Sequence, residues 1–161
     1  DFQGFVRENI VDLMMRDWVA HLEDVLQDSR AASLRSQRLV RARLVVDAAG
    51  FSFANVRFLP VLRRVIKLGQ AYFPEVTESV TVIRAPKYIA SIYELVRPWL
   101  ARPIQQKICI LGRDFEEGLR QHAGLDLAQL PAFLGGEGSD EEALPGEPVP
   151  KDAMKGLEEK D

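Results

Sequence analysis

The side chains of this sequence that could do chemistry are few and lie far apart. His21 and His122 each fall in a segment with helical periodicity and have no visible partner. One or two isolated histidines do not make a metal site, so a structural or solvated role is the simpler interpretation. Cys109 is the one cysteine, which excludes an internal disulfide, and its apolar neighbours indicate a small buried hydrophobe.

The carboxylates and the turns also lack the patterns of an enzyme. Glu116 and Glu117 are adjacent on a predicted helix, where neighbouring residues do not face each other, and Glu141 and Glu142 lie in an acidic C-terminal stretch. The strand-to-helix turns read "DAAGFS", "RAPKY" and "LGRDF", with too few glycines to wrap a pyrophosphate. The sequence therefore predicts a protein that is not an enzyme, with no metal, no catalytic residue and no nucleotide cofactor.

One charged residue directly precedes an apolar segment that is predicted to be a strand. Lys107 directly precedes the run from Ile108 to Leu111, which reads as a short buried strand before Gly112. A lysine at a strand end is usually solvated. It can also be the one positive charge that is aimed into an apolar cavity, and the residues around it leave both interpretations open.

The bulk composition indicates a globular domain. The chain has 161 residues, 47% of them hydrophobic, and its net charge of −3 gives no basic field for nucleic acid. No apolar run approaches the length of a membrane span, and one buried cysteine fits a reducing, cytosolic setting. Residues 137–161 are acidic and lack aromatic side chains, which predicts a disordered tail behind a body of residues 1–136.

Apolar periodicity predicts alternating helices and strands. Because strands alternate with helices, the pattern predicts an α/β domain of layered architecture, with mostly parallel strands joined by helical crossovers. Asn55 is the expected N-cap of the second helix, and Asp28 with Ser29 is expected to end the first helix or to cap the next turn. The predicted helices are Phe5–Gln27, Asn55–Tyr72, Lys87–Leu100 and Phe115–His122, and the predicted strands are Leu39–Ala48, Val80–Ile83 and Lys107–Leu111.

Six spaced motifs between Leu44 and Gly136 follow one order: "LVVDAAGFS", "YFPE", "VTVIRAP", "YELVRPWL", "KICILG" and "LPAFLGG". In this order they resemble the C-terminal part of the CRAL-TRIO lipid-binding domain of phosphatidylinositol-transfer-like proteins. The resemblance implies an apolar pocket between the sheet and a mobile gate helix, which corresponds here to residues Lys87 to Leu100. The gate-helix and pocket residues that it implies are Ile89, Ile92, Tyr93, Val96, Trp99 and Leu100.

The resemblance also gives two charges a role. In family members that bind phosphatidylinositol, the glutamate of the "YPE" motif and the lysine that opens the "KI" strand contact the inositol headgroup. These positions are Glu75 and Lys107 here. An ammonium can bind the phosphate as a point charge, and a carboxylate can accept hydrogen bonds from inositol hydroxyls. The alternative is that these two residues form a structural ion pair or are merely exposed at the ends of strands or helices.

This sequence departs from the family pattern in three places. Arg84 replaces the asparagine of "NAP", and Ala42 and Leu44 replace the hydroxyl residues with which some members hold phosphocholine. The "GRPV"-like first strand and the helices before it have no counterpart, so the N-terminal part of the domain is expected to be missing. A phosphatidylcholine cargo held in the known manner is therefore not expected.

The expected function is to bind a phospholipid, phosphatidylinositol above all, and to transfer or present it between membranes. The expected partners are this phospholipid or another hydrophobic ligand and a transient membrane surface, with no nucleic acid. The expected location is the cytoplasm, with peripheral membrane association. The alternative is a non-catalytic interaction or scaffold module that keeps the fold without a lipid cargo.

Overall fold

The computed structural model describes residues 9–73 and 75–139. Its first element, helix α1, runs from Val11 to Ser36 and ends at Gln37, which takes a left-handed φ of 52°. The predicted end at Asp28 and Ser29 is wrong, because neither glycine nor proline interrupts the segment there. The predicted start at Phe5 lies outside the described residues.

A parallel sheet forms the centre of the first of two compact units, residues 1–124. In the described part of the chain it has three strands in the order β1 (Ala42–Asp47), β2 (Thr77–Ile83) and β3 (Ile108–Ile110). Both pairs of neighbours are parallel. The predicted α/β architecture with parallel strands is thereby confirmed.

Helices make the crossovers between these strands. The connection from β1 to β2 contains a 3₁₀ segment, Phe53–Phe58, followed by α2 (Leu59–Tyr72). The cap of the 3₁₀ segment is Ser52, which forms a reciprocal capping box with Asn55, so the prediction of Asn55 as the N-cap is wrong by three residues. The connection from β2 to β3 contains α3 (Ile89–Val96), a 3₁₀ turn (Arg97–Trp99) and a short helix α4 (Arg102–Gln105).

The two faces of the sheet differ in burial. On one face Ser79, Thr81 and Ile83 of β2 are buried, and helix α5 (Glu116–Ala123), whose Leu119 is fully buried, packs against this strand. The opposite face, formed by the alternate residues of each strand, is only half-buried. Since a parallel sheet is normally covered on both faces, the second face is the unusual one.

The second compact unit begins at Leu125 and is described up to residue 139. It contains 3₁₀ turns at Leu127–Gln129 and Ala132–Leu134 and a bridge between Pro131 and Gly138. A side chain at Gly136 would place its Cβ 2.0 Å from the Leu130 carbonyl oxygen, so the turn requires glycine there. The predicted tail, residues 137–161, lies almost entirely outside the described residues and stays a prediction.

Candidate functional site

The half-buried face of the sheet is made of six aliphatic side chains, here called the aliphatic face. Parallel pairing sets Leu44, Val80 and Ile108 in one row. The next row holds Val46, Val82 and Ile110. Leu44 and Val46 keep 39% and 38% of their surface exposed, and the other four are intermediate. The face is a continuous apolar surface that the described residues cover only in part.

Helix α3 borders a recess that also reaches the aliphatic face. Tyr93 of α3 and Ile108 of β3 both line this recess of about 410 Å³. Because crossovers between parallel strands are right-handed as a rule, the strand order β1–β2–β3 predicts that α2 and α3 lie on one face of the sheet. Ile92 and Val96 are buried, with 6% and 8% exposure. The other predicted gate-helix and pocket residues are half-buried: Ile89, Tyr93, Trp99 and Leu100.

The carboxyl end of this helix is fixed by side-chain hydrogen bonds. Gln70 of α2 donates from Nε2 to the carbonyl of Trp99 at 3.0 Å and accepts from the Ala101 N–H at 2.6 Å. Gln105 Nε2 donates to the carbonyl of Leu100 at 2.9 Å. The Arg63 guanidinium lies 5.4 Å from the centre of the Trp99 ring, a cation–π contact. The contacts of Gln70 and Arg63 hold the segment after α3 against α2, and that of Gln105 joins it to α4.

The amino end of the helix is tied to the carboxyl edge of the sheet. The Tyr88 hydroxyl donates to the carbonyl of Phe51, and its ring lies 5.0 Å from that of Phe53. Arg84 Nε donates to Asp47 Oδ1 at 2.8 Å, and its Nη2 bonds the other carboxylate oxygen. Arg84 has a φ of 52°, a left-handed conformation that asparagine tolerates well. Arg84 therefore combines a left-handed backbone with a side chain that is paired to Asp47.

The Asp47–Arg84 pair predicts a specific pH dependence of stability. Its hydrogen bond to Arg84 holds the pKa of the Asp47 carboxyl below its usual value, although partial burial acts in the opposite direction. The stabilisation is therefore complete above the ordinary Asp pKa of about 3.9 and is lost as the pH falls through the lower folded-state pKa. We expect Arg84→Gln to lower the melting temperature at pH 6 and to lose this effect near pH 2.

A control for this prediction lies at the same edge. Arg113 follows Gly112 and has no ion-pair partner within residues 9–73 and 75–139, so Arg113→Gln removes the same charge without breaking a pair. Thermal melts of the three proteins between pH 2 and pH 7 make the comparison. A gap between Arg84→Gln and the unmodified chain that stays constant down to pH 2 would contradict the assignment.

The two predicted headgroup residues lie at the amino edge of the sheet, just before their strands. Lys107 is half-buried, and its Nζ donates to the carbonyl oxygen of Thr77 at 2.6 Å. Glu75 keeps 75% of its side chain exposed and accepts from Arg41 Nη2 at 2.8 Å. The fold thus brings both charges to one edge, and within the described residues each contacts a different partner rather than the other.

The sequence alone does not identify the cation that pairs with Glu75. Arg41 and Arg43 alternate with apolar residues there, a pattern that indicates only that their side chains face away from the packed side or lie outside the sheet. Arg41 instead reaches Glu75, and Arg43 Nε donates to Glu78 Oε2 at 2.9 Å. Parallel pairing of β1 with β2, combined with the two glutamates three residues apart, was the signal that could have found both pairs.

A second cavity of about 510 Å³ lies beside the amino edge. Glu75 and Val76 form one wall, and the carboxyl half of α1 and the end of α2 form the others. Its described lining is mostly apolar and includes one cation without an ion-pair partner among the described residues, Arg30. Glu75 therefore borders this cavity as well as the amino edge of the sheet.

Two further properties concern only residues 9–73 and 75–139. No three or more histidine, cysteine, aspartate and glutamate side chains there lie close enough together to hold a metal ion. None of the helices in these ranges has the length and apolarity that a membrane span requires.

Comparison with known proteins relates these features to a family. A family model of the CRAL/TRIO domain matches residues 11–136. The chain is 27% identical over 167 residues to the CRAL-TRIO domain-containing protein T23G5.2 of Caenorhabditis elegans, which covers 100% of this chain and 23% of that protein. It is 28% identical over 103 residues to the SEC14 cytosolic factor of Kluyveromyces lactis, which covers 63% of this chain and 34% of that protein.

A further relative and a solved structure also resemble part of this chain. The CRAL-TRIO domain-containing protein YKL091C of Saccharomyces cerevisiae is 28% identical over 108 residues, which is 66% of this chain and 34% of that protein. The crystal structure of Sfh5 matches 51% of this chain and 28% of its own, with 20% sequence identity and a TM-score of 0.45. The chain spans about a quarter to a third of the length of the curated relatives named here.

Proposed function

The chain belongs to the CRAL/TRIO domain family, and on that premise we propose that it binds a phospholipid whose acyl chains lie on the aliphatic face. The family binds lipids or small hydrophobic ligands. The favoured cargo is phosphatidylinositol, which the chain would carry or present at membranes. No catalytic step and no further cofactor are part of this proposal.

The observation that carries the proposal is the incomplete burial of the aliphatic face. Its two rows of branched aliphatic side chains are an apolar surface that water solvates poorly, and each methylene of an acyl chain that covers it contributes about 0.8 kcal/mol. Tyr93 of helix α3 lines the recess that Ile108 of this face also lines. An acyl chain between α3 and the sheet would complete the burial that residues 9–73 and 75–139 leave unfinished.

The headgroup part of the proposal rests on the amino edge. Lys107 supplies an ammonium for the phosphate, and Glu75 supplies a carboxylate for inositol hydroxyls. Ala42 and Leu44, on the strand where some family members carry hydroxyl side chains, offer no side-chain hydrogen bond to phosphocholine. Phosphatidylinositol is therefore favoured over phosphatidylcholine.

Contact with a membrane is assigned to α3. Its outward side carries Leu95, a large aliphatic residue that is 56% exposed, beside the paired charges Glu94 and Arg97. An apolar side chain with flanking charges suits a transient contact at the level of lipid headgroups. We place this exchange on the cytosolic side of membranes, a setting that the name of the SEC14 cytosolic factor also carries for that relative.

Lipid exchange tests the proposal. The purified chain is incubated with vesicles of mixed phospholipids, separated from them, extracted with organic solvent and assayed by lipid mass spectrometry. We expect close to one phospholipid per chain, enriched in phosphatidylinositol over the vesicle composition. A chain that acquires no lipid would exclude lipid carriage and favour the alternative of an interaction module without cargo.

A further inference from the structure

Two arginines at the start of β1 look equivalent in the sequence but differ in the structure. Arg41 and Arg43 are two residues apart, and each pairs with a glutamate, at 2.8 Å and 2.9 Å. Arg43 uses its Nε for this bond, whereas Arg41 uses Nη2 and leaves its Nε shielded from solvent without a partner among the described residues. A shielded N–H donor that makes no hydrogen bond is costly, so the resting position of Arg41 is incompletely satisfied.

Arg41 and Lys107 contact the two ends of one three-residue segment, Glu75 to Thr77. Arg41 contacts Glu75, the Ala42 N–H next to it donates to the carbonyl of Val76 at 2.8 Å, and Lys107 Nζ donates to the carbonyl of Thr77 at 2.6 Å. The segment that leads into β2 is therefore flanked by two cations and carries one carboxylate. This part of the amino edge has a net charge of +1 and an excess of donors over acceptors.

The Arg41–Glu75 pair is weak enough for a ligand to replace. The two side chains keep 33% and 75% of their surface exposed, and a pair this open to solvent contributes little to stability. A guanidinium matches a phosphate better than a single carboxylate oxygen, because Nε and Nη can then donate side by side. Moving from Glu75 to a phosphate would satisfy the unpartnered Nε and would free the carboxylate at the same time.

We propose that Arg41 is a specificity-determining residue that binds the ligand's phosphate together with Lys107 and releases Glu75 to accept hydrogen bonds from the ligand's hydroxyls. The inference rests on the proposed function and deepens it, since it assigns the site a phosphate group next to a polyol. A lipid headgroup and a free sugar phosphate share this chemistry. The Arg41–Glu75 ion pair is thus broken only by a ligand that supplies both an anion for Arg41 and hydroxyl donors for Glu75.

Three variants test the inference. Arg41→Gln removes the guanidinium and its charge, and Arg41→Lys keeps the charge but not the paired Nε and Nη donors. Arg43→Gln is the matched control, with the same charge change two residues away. Each full chain is loaded from vesicles that contain phosphatidylinositol and phosphatidylcholine, and the bound lipids are quantified by mass spectrometry. Inositol 1-phosphate is titrated into the unloaded chains in parallel, which separates binding of the headgroup alone from binding of the whole lipid.

We expect Arg41→Gln to lower phosphatidylinositol loading about tenfold, Arg41→Lys to lower it less, and Arg43→Gln to leave it within about twofold. Phosphatidylcholine loading should be the same in all four proteins. Equal effects of Arg41→Gln and Arg43→Gln, or higher phosphatidylinositol loading after Arg41→Gln, would overturn the inference while leaving lipid carriage intact. Absence of any lipid in the unmodified chain would instead refute the proposed function, and the inference with it.

If Arg41→Gln does not fold, as judged by its thermal melt, Arg41→Lys decides the question. The loss of bidentate geometry alone should still reduce phosphatidylinositol loading below that of Arg43→Gln. Loading of Arg41→Lys at the level of Arg43→Gln would contradict a role for the guanidinium.

Discussion

A chain that carries Val82→Asp should lose nearly all of its phospholipid loading, whatever the headgroup. Val82 lies on the central strand, in the middle of the second row of the aliphatic face, and is half-buried. An acyl chain laid over this position would bury an ionised carboxylate, and the effective penalty is several kcal/mol, so affinity should fall at least about a hundredfold. The variant should still fold, because without lipid the carboxylate can reach water. Lipid mass spectrometry after incubation with vesicles measures the loss.

The opposite face of the sheet provides the matched control. Val45 is also a half-buried strand valine, but it pairs with Thr81, on the face of the sheet where Ser79 and Ile83 are buried. Val45→Asp introduces the same charge into the same sheet, and we expect a lower melting temperature with phospholipid loading retained in the folded fraction. Equal loss of loading in both variants would place the acyl chains elsewhere.

Replacing Lys107 with alanine should produce the second largest effect, and this one should depend on the headgroup. The ammonium is the phosphate ligand in the proposed site, and charge-assisted hydrogen bonds contribute about 1.5–3 kcal/mol, which corresponds to a loss of roughly tenfold to a hundredfold in affinity for phosphatidylinositol. The fold should persist, because β3 is held to β2 by backbone hydrogen bonds, including that from the Val80 N–H to the Lys107 carbonyl. Competitive loading against phosphatidylcholine is the measurement.

Lys87 serves as the control for the loss of a lysine charge. It lies at the opposite edge of the sheet, just before α3, and is exposed. Lys87→Ala should leave the ratio of phosphatidylinositol to phosphatidylcholine unchanged. A Lys107→Ala chain with an unaltered ratio would show that the Lys107 ammonium takes no part in binding the headgroup.

The architecture could be predicted because its signals are local. The apolar run from Ile108, the β-branched residues before Ile83 and the helical spacing around Ile92 each specify one element, and their alternation implies parallel strands. The end of α1 could not be placed in this way. Aspartate and serine favour caps and turns, so Asp28 and Ser29 indicate a helix end. In the structure, however, Ser33 Oγ donates to the Ser29 carbonyl at 2.7 Å and the helix continues to Ser36.

The site was harder to predict because it depends on which strands are neighbours. Lys107 could be placed at a strand end from the apolar run that follows it, and the resemblance to the family singled out Glu75. The partner of Glu75, however, comes from β1, 34 residues away in sequence. The half-buried state of Val80 and Val82 could not be read from the sequence either, since a β-branched run of this kind predicts a fully buried strand. Only the parallel register shows that these valines share one incompletely covered face with Leu44 and Ile108.

The central claim, that acyl chains lie on the aliphatic face, is tested most directly by photo-crosslinking. The chain is loaded with phosphatidylinositol that carries a diazirine in one acyl chain, irradiated, digested and mapped by mass spectrometry. The account predicts adducts on β2 and β3, around Val82 and Ile110, and on α3 around Tyr93. Adducts confined to the cavity beside α1, around Leu26 and Phe73, would contradict it.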